Sequence, residues 1–335
     1  MARWLLVCTV VCLAVHVQCK TYYASSESGN DDADCDTFTH SSTPARTLSV
    51  AIKCSADGDV VQASGVFQED VVVATSIAVR AWDGMPAPVI RPTGDGARAI
   101  VISVPSGADG VSLVQFSGIV VDIDRDAATA LDIQSGSTSV VWADGLMSSN
   151  ASQSTFLLSS APSVQVQIMS SVLVSGKDAA FVEVFGQSSG IAIESAVLNN
   201  VGVFTPGGAL LNVTSTSILG LDSIEFALNP TGKAVLLEVL FDGVRNAVSV
   251  TGGMTTVNHT LFVGIGGTAL RVGDGAAAAV SNSSIVKSAP TSGMIVALGD
   301  LDLHLFSVID AHASSYELAA RHVIPLSSIV CSCSL

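Results

Sequence analysis

The stretch that decides the fold is residues 58–73, GDVVQASGVFQEDVVV. An Asp-Gly turn precedes an apolar run, Ser64 and Gly65 form a small-residue corner, and residues 71–73 form a second apolar run. Short runs of β-branched residues between turn residues are typical of strands rather than helices. The stretch has no His, no Cys and no Ser beside a base, so it predicts architecture and no chemistry.

The same alternation of short apolar runs with small or polar residues recurs along the chain as a loose repeat. Each repeat has an apolar anchor, a few small or polar residues and an apolar pair, and the mean interval is about 24 residues. A unit of that length holds three short strands joined by corners, and such units stack about 4.8 Å apart. The sequence therefore predicts an all-β parallel solenoid of roughly 10–11 coils. The repeats start at residues 116, 142, 168, 193, 213, 239, 257, 280 and 305.

Other repetitive β architectures fit the sequence less well. An antiparallel sandwich or propeller needs two-residue hairpin signals or aromatic signatures in each blade, and the chain has few of the former and lacks the latter. The leucine spacing does not match a leucine-rich repeat. The parallel solenoid is therefore the leading prediction.

Residues 22–73 resemble the start of right-handed parallel β-helix proteins of the pectin-lyase-like superfamily. In that family, a Tyr-rich opening precedes a short capping helix, and a Gly-Asp segment then forms the first coil. The resemblance implies the same right-handed fold and little about activity, because the superfamily includes enzymes, adhesins and other surface proteins. The matching residues are Tyr22, Tyr23, Ser25, Gly29, Asp31, Thr47, Leu48, Ala51, Ile52, Gly58, Asp59, Val61, Gly65, Phe67, Glu69 and Val71.

The chain divides into four predicted segments. Residues 1–19 have a basic start, a short apolar core and small residues before a cleavage point, which indicates a secretory signal peptide. Residues 20–57 form an N-terminal cap with a short helix that begins after Thr47. Residues 58–315 form the β-helix, and residues 316–335 form a tail or incomplete cap in which SSYELAARHV suggests a short helix.

The composition excludes several classes of protein. The 335 residues are 49% hydrophobic and 13% charged, which does not fit a disordered polyelectrolyte. The net charge of −15 repels phosphate backbones, so nucleic acid is excluded as a partner. No stretch of the mature chain reaches 18 continuous apolar residues, so we predict no transmembrane segment.

The cysteines and sequons indicate an extracellular or cell-surface location. In an oxidising compartment, Cys35 and Cys54 are the natural disulfide pair, whereas Cys331 and Cys333 could pair elsewhere or with another chain. Four Asn-X-Ser/Thr sequons predict glycosylation in a eukaryotic source, whereas Pro230 excludes Asn229. The four predicted sites are Asn150, Asn212, Asn258 and Asn282.

The only acidic cluster of the predicted β-helix with strand spacing is GIVVDIDRD at residues 118–126. Asp122, Asp124 and Asp126 alternate, with Arg125 on the other side, so they are candidates for acid/base catalysis or calcium binding. A solvated outer face explains the same pattern. The motifs of polygalacturonases, N-T-D, G-H-G and R-I-K, are absent, and the only adjacent aspartate pair, Asp31-Asp32, lies in the N-terminal segment.

A second acidic group, Asp32, Asp34 and Asp36, has the spacing of a calcium loop. The sixth and twelfth positions are Thr37 and Thr43 instead of the Gly and Glu of an EF-hand. The sequence therefore predicts no cofactor, and calcium is the one ion for which it offers candidate ligands.

The leading functional hypothesis is a secreted or cell-surface rod with a structural, adhesive or glycan-binding role and no catalytic site. Its expected partners are extracellular glycans or surface proteins. The alternative is a divergent polysaccharide-active lyase, esterase or hydrolase of the same superfamily. An enzyme should have a groove lined by carboxylates, arginines and aromatic residues, and this chain is only 5% aromatic.

Overall fold

The computed structural model is nearly all strand, with one α-helix, α1 (Leu48–Cys54), and one 3₁₀-helix (Cys35–Thr39) among the residues it describes. Thr47 begins α1 as predicted, because its Oγ1 accepts a hydrogen bond from Val50 N at 3.3 Å. The described residues are 19–105, 112–134, 136–176, 178–220, 225–286, 295–309, 318–323 and 329–332, so the predicted signal peptide lies almost wholly outside them.

The strands are short and follow one another at regular intervals. In the N-terminal half they are β1 (Thr21–Ser25), β2 (Val60–Ser64), β3 (Val66–Gln68), β4 (Val71–Val73), β5 (Ala78–Ala81), β6 (Val89–Arg91), β7 (Arg98–Ile102), β8 (Ser112–Ser117), β9 (Val120–Ile123), β10 (Thr129–Ile133), β11 (Thr138–Ala143), β12 (Leu146–Ser149), β13 (Thr155–Ser159), β14 (Gln165–Met169), β15 (Val172–Ser175), β16 (Ala180–Val184) and β17 (Gly190–Glu194). In the C-terminal half they are β18 (Val197–Asn199), β19 (Val201–Thr205), β20 (Leu210–Thr214), β21 (Ser217–Leu219), β22 (Leu228–Pro230), β23 (Ala234–Leu237), β24 (Leu240–Asp242), β25 (Val248–Val250), β26 (Met254–Asn258), β27 (Leu261–Val263), β28 (Leu270–Val272), β29 (Ala277–Ser281), β30 (Ser284–Val286), β31 (Ile295–His304), β32 (Phe306–Ile309), β33 (Leu318–Val323) and β34 (Ile329–Ser332).

Each turn of the solenoid, here called a coil, passes through three parallel sheets, and coil 1 is β2–β3–β4. Sheet 1 contains β1, β2, β5 and then every third strand to β29. Sheet 2 contains β3, β6 and every third strand to β30, followed by β32 and β34, and sheet 3 contains β4, β7 and every third strand to β28. Sheets 1 and 3 merge at the C-terminal end, because β31 pairs with both β28 and β29.

The predicted right-handed parallel β-helix is confirmed. Sheet 2 provides one strand to each coil and contains twelve described strands, from β3 to β34. Consecutive strands of sheet 2 pair in parallel without a shift, as Val66 with Val89 and Val172 with Val197. Side chains at equivalent positions therefore form straight columns along the rod.

The core is a narrow apolar column inside the three sheets. Alternate residues of each strand point inward, so each coil adds a few buried aliphatic side chains, and burying each of these contributes about 1.5–3 kcal/mol. Aromatic residues stack within the column: Phe116 on Trp142, with ring centroids 5.3 Å apart, and Phe241 on Phe262 at 5.1 Å. Each coil packs only on the coil before it and the coil after it, so the core requires no contacts between distant coils.

The corner from sheet 1 to sheet 2 is two residues long in most coils, and its first residue is left-handed. Ser195 (φ 54°), His259 (φ 49°) and Asn282 (φ 50°) are examples. The backbone N–H of each such residue donates to the coil that follows, as in Ser195 N to Thr214 O at 3.0 Å and His259 N to Ser281 O at 3.2 Å. The hydrogen-bond ladder therefore continues through the corner, and its conformation recurs whatever the side chain.

Two carboxylates hold the N-terminal cap in place, Asp31 within the cap and Glu69 from coil 1. Asp31 Oδ1 accepts from the N–H groups of Arg46 and Thr47 at 2.8 and 3.0 Å. Glu69 accepts from Leu48 N at 2.7 Å and Ser49 N at 3.0 Å, both in the first turn of α1. Two motif residues that carry the family resemblance therefore have a structural role, which is to satisfy unpaired donors at a helix N-terminus.

The C-terminal tail does not contain the short helix that its sequence suggested. The suggested helix in SSYELAARHV is wrong, because β33 is a strand whose residue Leu318 pairs with Ile295. Backbone pairing with β31 outweighs the local helix propensity of the segment. Among the described residues no helix is long and apolar enough to span a membrane.

Candidate functional site

The outer face of sheet 3 carries an aromatic patch on coils 5 and 6. In β16, Ala180, Val182 and Val184 are buried, so the alternate positions point outward. Phe181 and Glu183 occupy those positions, and Phe185 continues the alternation just beyond the strand, 37% exposed. The fourth member, Phe204, lies in β19 opposite Glu183. The aromatic patch is Phe181, Glu183, Phe185 and Phe204.

Register brings two of the rings together. Phe181 pairs with Gly202, which has no side chain, so the ring of Phe181 has space to approach Phe204 two residues further along β19. The centroids of the two rings are 5.6 Å apart and their planes are inclined by 55°. This tilted contact is favourable for aromatic pairs and holds both rings half-buried on an outer face.

Glu183 lies between apolar neighbours. It pairs with Leu158 of coil 4 and with Phe204 of coil 6, and its side chain makes no hydrogen bond or ion pair within the described residues. Partial burial raises the pKa of the Glu183 carboxyl above its ordinary value, because desolvation penalises the charged form. The carboxyl is therefore available to a ligand that brings its own donor.

A second carboxylate lies in the same column, two coils away. Asp132 pairs with Leu158, which pairs with Glu183, so the two backbone positions are about 9.6 Å apart. Asp132 Oδ2 accepts from Arg98 Nε and Gln134 Nε2, each at 2.9 Å, and only 2% of its side chain is exposed. Asp132 is thus enclosed by its own partners, whereas Glu183 is open.

The three aspartates of residues 122–126 do not converge. β9 ends at Ile123, so Asp124 and Asp126 lie in the corner that follows and not on the strand. Asp122 Oδ2 accepts from Arg91 Nε at 3.0 Å, and Asp122 Oδ1 accepts from Ser148 Oγ at 3.0 Å. The other two have separate local contacts: Asp124 is 3.5 Å from Arg125 Nε, and Asp126 Oδ1 accepts from Ser152 N at 2.8 Å.

The candidate calcium ligands of the cap are exposed. Asp36 pairs with Lys20 at 3.2 Å, and Asp34 precedes the 3₁₀-helix without a side-chain capping bond. Asp32 is also at the surface. In the described part of the chain, no group of three His, Cys, Asp or Glu residues is arranged to hold a metal ion, so calcium binding stays a prediction of the sequence.

Cys35 and Cys54 form the predicted disulfide, which joins the 3₁₀-helix to the end of α1 with a Cα–Cα distance of 5.3 Å. The Cys331 side chain and Cys333 lie outside the described residues.

Three of the four sequons lie on or beside sheet 1. Asn212 is exposed on β20, Asn258 ends β26, and Asn282 is the left-handed corner residue after β29. Asn282 Nδ2 donates to Asn258 Oδ1 at 3.1 Å. Asn150 is exposed at the corner between sheets 2 and 3, so the outer face of sheet 3 carries none of the four.

The sequence interpretation missed the aromatic patch. Its signal is the segment AFVEVF at residues 180–185, where two phenylalanines and a glutamate alternate with small or branched residues in an aromatic-poor chain. The partnership with Phe204 could not be inferred, because it depends on the register between coils of unequal length.

Comparison with known proteins supports the fold. No family model and no curated protein matches the sequence. Two crystal structures of the GH136 lacto-N-biosidase from Eubacterium ramulus are similar: one at 11% identity and TM-score 0.61, covering 99% of this chain and 70% of that one, the other at 9% identity and TM-score 0.52, covering 94% and 68%. A rhamnogalacturonan lyase also matches, at 11% identity and TM-score 0.40 over 93% of this chain and 87% of that one. The likeness to the two lacto-N-biosidase structures extends over almost the whole chain and supports the parallel β-helix fold alone.

Proposed function

We propose that this protein is a secreted or cell-surface glycan-binding rod that binds sugar on the aromatic patch without cleaving it. The observation that carries the proposal is the grouping of three phenylalanines around one half-buried, unpartnered carboxyl on an outer sheet face. Binding sites combine such apolar area with a few placed polar groups.

The chemistry of the patch fits a neutral sugar. The C–H face of a pyranose ring can stack on Phe181 or Phe204, and a sugar hydroxyl can donate to the Glu183 carboxylate. The chain's net charge of −15 disfavours polyanionic glycans. The structural neighbour named as a lacto-N-biosidase makes lacto-N-biose the first sugar to test.

The extracellular location rests on independent features. The predicted signal peptide, the Cys35–Cys54 disulfide and the four sequons all belong to the secretory route. An extracellular compartment also supplies the glycans that the patch would bind.

The test is a binding screen with the secreted protein. We expect a neutral oligosaccharide panel that includes lacto-N-biose units to contain a ligand, measured by calorimetry. Phe181→Ala and Phe204→Ala should each weaken it about tenfold, or ~1.4 kcal/mol. Leu210→Ala, at an exposed position of sheet 1, is the matched control and should leave affinity unchanged. Equal affinity in all variants, or no binding across the panel, would refute the proposal.

The alternative is a polysaccharide-active enzyme, and one observation favours it. Asp132 and Glu183 lie in one column about two coils apart, a spacing close to that of the paired carboxylates of inverting glycosidases. The enclosure of Asp132 by Arg98 and Gln134 opposes it. Polysaccharide cleavage that Glu183→Gln, Asp122→Ala or Asp124→Ala abolishes would establish the enzyme instead.

A further inference from the structure

The outer face of sheet 2 carries a column of aliphatic side chains along most of the rod. The first residue of each sheet-2 strand points outward, because the second residue is buried. In the first nine coils this position is valine or leucine in all but coil 7, where it is Ser217. We call it the aliphatic stripe: Val66, Val89, Val120, Leu146, Val172, Val197, Leu240 and Leu261.

The parallel column beside the stripe is mixed. It begins with Gln68, Arg91, Asp122 and Ser148, and it contains Asp242 in coil 8. The sheet-2 face therefore has one wholly uncharged column and one column with charges at both ends.

We propose that a second copy of this chain docks on the aliphatic stripe, with the two rods antiparallel and a two-fold axis at coil 5. A two-fold axis along the strand direction places each column against the same column of the partner, so aliphatic side chains meet aliphatic side chains. An axis along the rod would place the stripe against the mixed column, and the valines of coils 2 and 3 would then meet Arg91 and Asp122.

The pattern of exposure agrees with an axis at coil 5. The most exposed members of the stripe are Val66 at 44%, Val172 at 37% and Leu261 at 39%. They lie in coils 1, 5 and 9, at equal steps of four coils. The two-fold axis places Val172 of the two copies against each other, and it places Val66 of each copy against Leu261 of the other. The three most exposed members of the stripe therefore contact one another.

The charges agree with the same axis. Coil 2 then faces coil 8, which places Arg91 opposite the exposed Asp242 of the other copy, in addition to its ion pair with Asp122 of its own chain. Coil 3 faces coil 7, which places Asp122 opposite Leu219. Coil 4 faces coil 6, which places Ser148 opposite Asn199. Complementary charge at both ends of an apolar interface fixes its register and direction.

The area limits the expected affinity of the dimer. The eight steps from coil 1 to coil 9 span about 38 Å, and the three- or four-residue strands of sheet 2 span about 10–13 Å. Each partner would therefore bury about 400–500 Å², or about 800–1,000 Å² in total, which is the range of weak, transient interfaces. We therefore expect a weakly associating dimer.

Sedimentation velocity over a concentration series tests the dimer. The wild-type protein should change from monomer to dimer, and Val172→Asp should weaken association at least tenfold because it places two carboxylates on the axis. Leu210→Asp, the same change at an exposed leucine of sheet 1, should not affect it. Thermal unfolding checks that both variants fold. A monomer throughout, or a dimer that Val172→Asp does not affect, overturns the proposal.

Cysteine crosslinking tests the direction. Val172→Cys should crosslink to itself under mild oxidation, whereas Val66→Cys and Leu261→Cys should crosslink only when the two variants are mixed. The wild-type chain, which retains Cys331 and Cys333, gives the background. Self-crosslinking of Val66→Cys above that background would overturn the antiparallel arrangement.

Discussion

At the residue scale, Glu69 has the most clearly defined role. Each of its two carboxylate oxygens accepts one N–H from the first turn of α1, so a single side chain from coil 1 binds the cap. The Glu69→Ala variant leaves both donors unpaired, and we expect it to lose about 2 kcal/mol of unfolding free energy. Chemical denaturation measures this loss, and Glu27→Ala, an exposed position of the same cap, should change it by no more than about 0.5 kcal/mol.

Glu183 gives a pH-dependent prediction. Because burial raises the folded-state pKa of Glu183 above its ordinary value, the folded protein binds this proton more tightly than the unfolded chain does. The stability that the tighter binding of this proton contributes is therefore fully present below the pKa of Glu183 in the unfolded chain. It is lost as the pH rises through the pKa of Glu183 in the folded protein.

Glu183→Gln should therefore melt at the same temperature as wild type near pH 4 and at a higher temperature near pH 7. Scanning calorimetry at both pH values measures the difference. A constant difference between the two would contradict the desolvation of Glu183.

Glu69 and Glu183 differ in how far the sequence alone predicts their roles. Glu69 belongs to a motif and was selected by resemblance, but its hydrogen bonds to α1 were not evident from the sequence. Glu183 belongs to no motif. Its environment is made by Leu158 and Phe204, which lie about 20 to 25 residues away in the chain and become neighbours only through coil register.

At the element scale, the left-handed corners between sheets 1 and 2 limit substitution. A β-branched residue is strongly disfavoured in this conformation. We expect Ser195→Val to cost about 1–2 kcal/mol of unfolding free energy, because Ser195 has φ 54°. The matched control is Ser139→Val on the outer face of β11, where a β-branched residue suits the strand. Equal denaturation midpoints for the two variants would disprove the backbone cost.

The corners also explain which elements were predictable. Short apolar runs between Ser, Asn and Gly predicted the strands, because the same three-strand unit recurs. The corner residues Glu238, His259 and Leu305 carry no small-residue signal, yet each adopts positive φ. Their conformation follows from the stacked coils on either side and is therefore invisible in the local sequence.

At the scale of the whole molecule, the predicted glycans and the aromatic patch occupy different faces. Asn212 is exposed on sheet 1, whereas the patch lies on sheet 3. Expressed in a eukaryotic secretory host, the protein should lose one endoglycosidase-sensitive mass increment in Asn212→Gln and keep its glycan affinity. Asn229→Gln is the control, because Asn229 precedes a proline and should carry no glycan. An unchanged mass for Asn212→Gln would exclude glycosylation at that site.

The cap gives the rod a direction. A stack of parallel strands can recruit further strands at any uncovered edge, which is how fibres elongate. At the N-terminal end, β1 is followed by α1, whose Leu48, Ala51 and Ile52 are buried against the stack. The cap therefore opposes templated growth at the N-terminal end of the rod.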